Sequence, residues 1–63
     1  MIKENRRKKH LSQESLAEML GISTRQLQRI EKNENETRII TLKKIISILE
    51  IPDNEILEYI KKR

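Results

Sequence analysis

Apolar residues along the 63-residue chain recur three and four apart and nowhere alternate, so the pattern predicts helices and no strand. Five segments emerge. The first covers about Ile2 to Lys9, with His10 at its end. The second and third lie near Gln13 to Leu20 and Thr24 to Lys32, the fourth runs from about Leu42 to Glu50 and the last from about Asn54 to Lys62. Ser12 is a good N-cap for the second, and Ser23 with Gln26 three residues on makes a capping box for the third. Gly21, the only glycine, stands where a left-handed helix end needs a residue without Cβ. Thr41 is read as the cap of the fourth helix, Pro52 as its block and Asp53 as the cap of the fifth. The stretch from Asn33 to Arg38 has a loop composition, in which asparagine tolerates positive φ.

The inward positions add up to one core: Ile2, Leu11, Leu16, Ala17, Leu20, Ile22, Leu27, Ile30, Ile39, Leu42, Ile45, Ile46, Leu49, Ile51, Ile56, Leu57 and Ile60. Met19, Ile40, Ile48 and Tyr59 are left over. They read either as a partner surface or as singly exposed groups of no consequence.

Residues 12–31, SQESLAEMLGISTRQLQRIE, hold two helix starts and one helix stop. Leu16, Ala17, Leu20, Ile22, Leu27 and Ile30 face inward from both helices, and the small Ala17 sits one turn before Gly21, where the helices cross. This is the layout of a helix-turn-helix, whose second helix enters a major groove. A plain helical hairpin would need the caps, the glycine and six apolar positions to coincide by accident.

Length bounds the chain to one small domain, residues 1–63, which buries only about 60% of its unfolded surface. With no cysteine and one histidine, neither a disulfide, a thiolate metal site nor a nucleophile–base pair is available, and no enzyme, cofactor or metal is expected. No apolar run reaches the roughly 18 residues of a membrane span, so a soluble, cytoplasmic protein without a membrane or small-molecule partner is expected. Residues 1–10 carry Lys3, Arg6, Arg7, Lys8 and Lys9 against Glu4, which accounts for the whole net charge of +4. A pI near 9.7 with such clustering fits either a polyanion partner or a solvated helix face.

Arg6, the block LSQESLAEMLGIS from Leu11 to Ser23, Glu31 and the segment LKKIISILEI from Leu42 to Ile51 together resemble the helix-turn-helix family of phage repressors, Cro proteins and xenobiotic-response-element-type regulators. The resemblance runs from Ile2 to about Ile60. It implies an all-α, five-helix bundle of the lambda-repressor-like DNA-binding type, and an ion pair between Arg6 and Glu31 joining the first helix to the recognition helix. Asn5 replaces a usual apolar residue, which loosens the expected packing of the first helix. Asn33 and His10 stand at common glycine positions.

On the recognition helix the base-reading positions are Thr24, Arg25, Gln28 and Arg29. Arginine forks suit guanine, glutamine suits adenine and threonine the thymine methyl. Phosphate contacts are expected from Arg6, Gln13, Ser23, Lys32, Asn35 and Arg38. The reading is a sequence-specific double-stranded DNA-binding regulator, expected to repress as a homodimer on a two-fold operator, with Ile40, Ile48, Ile51, Pro52 and Tyr59 as dimer surface. The alternative is a protein-interaction module, an antitoxin or adaptor domain, on the same fold.

Overall fold

The computed structural model describes residues 1–62. Among them are five α-helices, α1 (Ile2–Lys8), α2 (Gln13–Leu20), α3 (Thr24–Lys32), α4 (Ile39–Leu49) and α5 (Asp53–Lys62), with a 3₁₀ turn at Glu34–Glu36 and no strand. Ser12 Oγ accepts from the Ser15 amide at 3.0 Å. Ser23 and Gln26 exchange both bonds of the capping box, at 3.1 and 2.9 Å. The pair α2–α3 therefore begins and ends where local chemistry requires.

Three helices end in the same way. Gly21 at φ 71° terminates α2, with Ile22 N–H donating to Ala17 O and Gly21 N–H to Glu18 O, the paired bonds of a Schellman motif. His10 at φ 57° ends α1 with Leu11 N–H to Arg6 O and His10 N–H to Arg7 O. Glu50 at φ 52° ends α4 with Ile51 N–H to Ile46 O and Glu50 N–H to Ser47 O. Only one of the three left-handed residues is glycine, so the other two hold a conformation that costs roughly 1 kcal/mol or more with a Cβ.

Several expectations change. Thr41 does not cap α4, which starts one turn earlier behind Arg38, a residue making no side-chain cap bond. Asp53 is the first residue of α5 rather than its cap. Asn33 has φ −128°, so α3 runs straight into the 3₁₀ turn and no loop asparagine takes positive φ.

The core is smaller than the apolar pattern suggests. Ile2, Leu16, Ala17, Leu20, Leu27, Leu42, Ile45, Leu49 and Ile51 are buried, with Leu11, Ile22, Ile30, Ile46, Ile48 and Ile56 half-buried against them. Ile39, Leu57 and Ile60, expected inside, are exposed. Periodicity gives a helix a face but not the neighbour that covers it, and the short bundle leaves nothing over that side of α5. Ile51, assigned to a dimer surface, is 5% exposed and belongs to the core. Asn5 does not loosen α1. It is buried, and its Nδ2 donates to Met1 O at 2.7 Å and to Glu55 Oε1 at 3.1 Å, tying α1 to α5.

The 3₁₀ turn is a second joint. Glu34 receives the Met1 ammonium and the Ile2 amide, the latter at 3.1 Å, so it closes the N-terminus of α1 from a distance in sequence. The Tyr59 hydroxyl of α5 donates to Glu34 O at 2.7 Å.

Candidate nucleic-acid interface

α3 buries Leu27 and half-buries Ile30, which fixes the opposite side outward. On that side Arg25, Gln28 and Arg29 are exposed and Thr24 is half-exposed. The spacings 24 to 28 and 25 to 29 put the four side chains in two adjacent rows of one face. The structure therefore brings the four expected base-reading residues onto one surface. Lys32, the last residue of α3, is also exposed.

Glu31 is the only acid in α3, and it points the other way. Its carboxylate accepts from Arg6 Nε at 2.7 Å and Nη2 at 3.4 Å, and from Gln13 Nε2 at 3.0 Å. The Arg6 and Glu31 side chains are 9% and 5% exposed. Arg6 Nη1 donates to Leu11 O at 2.8 Å, so one guanidinium holds α1, the α1–α2 turn and α3 together. The outward charge of α3 is thus purely positive, from Arg25, Arg29 and Lys32.

Arg6 spends one N–H of each of its three nitrogens inside the fold, which makes it a positioning residue and leaves two of its five N–H groups without an acceptor there. Gln13 is half-buried at the start of α2, between Glu31 and Gln28, whose Nε2 donates to Gln13 Oε1 at 3.4 Å. One of its amide hydrogens still points away from these partners. Ser23 uses its oxygen as an acceptor in the capping box, which leaves the hydroxyl hydrogen to donate. Arg38 is exposed at the N-terminus of α4. There Ile22, Gln26, Arg29, Ile30, Glu36, Thr37, Arg38 and Thr41 line a shallow groove beside α3. Asn35 is exposed on the 3₁₀ turn behind it.

Two features were not legible in the sequence. The α4 N-terminus presents its first amides without a side-chain cap, next to Arg38 and the exposed side of α3, a position suited to an anion. Thr37, immediately before it, is buried, and its hydroxyl oxygen has no hydrogen-bond partner. The basic start of the chain is also less uniform than its composition suggests. Lys9 Nζ is paired with Glu50 at 2.6 Å, a contact that holds the Glu50 carboxyl below the usual carboxylate range.

A capped α2, a glycine turn and an α3 whose outward charges are all cationic are the parts of one known module, and a family model described as helix-turn-helix matches residues 2–56. The chain belongs to that family, of the Cro/C1 type. No curated protein and no solved structure matches it. At family level a Cro/C1-type helix-turn-helix is a DNA-binding, transcription-regulating domain, and in helix-turn-helix modules generally the second helix of the pair enters the major groove. Among the described residues no helix is long and apolar enough to cross a membrane.

Proposed function

We propose that this helix-turn-helix domain binds double-stranded DNA sequence-specifically and represses transcription as a homodimer on a two-fold operator. The observation that carries the reading is the inward turn of Glu31 onto Arg6, which leaves α3 with a cationic, hydrogen-bonding outer face. Arg25 and Arg29 contact guanine O6 and N7, Gln28 contacts adenine, and Thr24 packs on a thymine methyl. Gln13, Ser23, Lys32, Asn35 and Arg38, with the α4 N-terminal amides, hold the flanking phosphates.

The domain is 29 Å in its longest extent, shorter than the roughly 34 Å between successive major-groove faces. Reading two half-sites therefore takes two copies. The self-contact lies along the α4–α5 turn and α5, where Pro52, Leu57 and Ile60 are exposed and Ile48 and Tyr59 are half-buried. Ile40 stands at the other end of α4, about 13 Å away at 1.5 Å per residue, and drops out of that surface.

Selection of binding sites from a random duplex pool tests the proposal. Two G-containing half-sites with centres about 10 base pairs apart, or a multiple of that, are expected. Arg25→Ala and Arg29→Ala should each lose about 1–3 kcal/mol and relax one base position. Uniform losses with unchanged preference would refute the groove assignment. Salt-independent retention, or none, would leave a protein-interaction module.

A further inference from the structure

A backbone N–H can only donate, and at the start of α3 this fixes one side-chain amide. The Ser23 N–H donates to Gln26 Oε1 at 2.9 Å, and the Gln26 backbone N–H donates to Ser23 Oγ at 3.1 Å. The orientation of a glutamine amide is otherwise a free two-fold choice. Here the capping box makes it, with Oε1 on the helix start and Nε2 turned away. Both N–H groups of Nε2 are unspent, because no acceptor among the described residues meets them.

Gln26 and Gln28 immediately precede and follow the buried Leu27, and both are exposed. They stand about 100° to either side of Leu27 and so flank the outward Arg25 and Arg29. Gln28 is on the flank toward α2, where it meets Gln13. Gln26 is on the flank toward α4, beside Arg29 on the helix surface, in the groove that Arg38 and Glu36 also line. We infer that Gln26 reads a base as well as capping α3, which rests on α3 being the groove-reading helix. As a donor it selects a keto base, guanine or thymine, over an amino base, adenine or cytosine, at one position of the site. Guanine O6 and thymine O4 accept where adenine N6 and cytosine N4 donate, so an amino group would meet the Gln26 amide donor to donor. The usual glutamine pairing with adenine needs Oε1 and an N–H side by side on one base edge. Gln26 could offer that only by breaking the box.

Gln26→Glu tests this. Glutamate is the other residue that closes a capping box at this position, so one carboxylate oxygen keeps the Ser23 N–H while the second puts an acceptor where the donor was. Binding is measured by competition among duplexes that differ at one base pair at a time, within a site selected for the wild-type chain. One position should favour keto bases about fivefold for the wild-type chain. Gln26→Met, without donor or charge, should bring that position to about equal binding of all four bases. Gln26→Glu should invert it in favour of cytosine, whose N4 donates to a carboxylate, on top of a uniform loss from the added charge. Thermal melting should place Gln26→Glu at or above the wild-type Tm, since an acid in the first turn suits the helix dipole, so the inversion is readable even where Gln26→Met folds poorly. If Gln26→Glu weakens all duplexes alike and leaves every base preference as it was, Gln26 is only a cap and the inference is overturned, while DNA binding stands. A keto preference that persists in a folded Gln26→Met overturns it equally. Failure of the wild-type chain to bind any duplex would instead refute the functional reading beneath it.

Discussion

Cutting the Arg6–Glu31 pair on one side should cost far more than replacing both partners together. The side chains are 9% and 5% exposed, so water cannot take over from a missing partner. Glu31→Leu leaves a buried guanidinium with Leu11 O as its remaining acceptor, and Arg6→Met leaves a buried carboxylate with Gln13 Nε2 as its remaining donor. Removing one partner of a buried pair typically costs about 3–5 kcal/mol. A domain of this size has a total stability of roughly 3–9 kcal/mol at about 0.05–0.15 kcal/mol per residue. Either single variant therefore lies near or beyond the folding threshold at 25 °C. The double variant Arg6→Met/Glu31→Leu removes both charges and fills the space with apolar groups. It leaves Leu11 O and Gln13 Nε2 without partners, each about 1–3 kcal/mol if fully buried and less at this half-buried edge. It should be more stable than either single, with a coupling of about 3 kcal/mol. The assay is urea unfolding followed by helical circular dichroism, in an excluded osmolyte that lifts all four proteins above threshold. A double variant no more stable than the worse single would refute the argument that desolvated charge, rather than packing volume, is what each single change exposes.

His10→Gly should stabilise the domain by about 0.5–1 kcal/mol, raising Tm by several degrees, because His10 is exposed and holds φ 57° at the usual cost of a Cβ there; an unchanged melt would show the strain to be compensated. Thr37→Val should stabilise by about 1 kcal/mol, since the buried hydroxyl without a partner is exchanged for a methyl of the same shape; calorimetric destabilisation would point to a water held by that oxygen. Stability should also fall at both ends of the pH range. Burial lowers the Met1 ammonium's pKa, but hydrogen bonds from its N–H groups to Glu4 and Glu34 outweigh this and raise it above 8.0, so its contribution is full below about pH 8 and lost as pH rises through the raised value. The same ammonium lowers the Glu4 carboxyl below 4.5, so that contribution is present above the ordinary value and lost on acidification. Acetylating the terminus should flatten the alkaline limb, and an unaltered limb would exclude this cause.

The ends of α2 and α3 were legible because capping is local chemistry: Ser12, Ser23, Gln26 and Gly21 act within four residues of themselves. The start of α4 was not, because Thr41 has cap chemistry and lies inside the helix, while Arg38 has none and lies at its boundary. Ile39, Leu57 and Ile60 show the limit of periodicity. Each falls on an apolar stripe, yet whether a stripe is covered depends on the packing angle of a neighbour, which no spacing encodes. The candidate site divides in the same way. Exposure of Arg25, Gln28 and Arg29 follows from the burial of Leu27 on the same helix, whereas the tie of Gln13 to Glu31 joins residues 18 apart and exists only once α2 and α3 have crossed. The left-handed Glu50 carried no composition signal, for glutamate is a poor choice there. Lys9, drawn in from the α1 end, is what meets it.

The placement of one acid connects stability to binding in this fold. Turned outward, Glu31 would set a negative charge about one turn from Gln28 and beside Lys32, within the cationic face of α3. Turned inward without a partner, it would cost the fold several kcal/mol. Arg6 resolves both, and because its guanidinium is a planar fork it also fixes the angle at which α1 meets α3. An apolar pair at the same positions would serve stability as well, but it would leave Gln13 without an acceptor and α3 without a hydrogen-bonded register against α1. The buried ion pair therefore contributes direction more than energy. It aligns α3 against the rest of the bundle and leaves Arg25, Arg29 and Lys32 as the charges that helix presents to its partner.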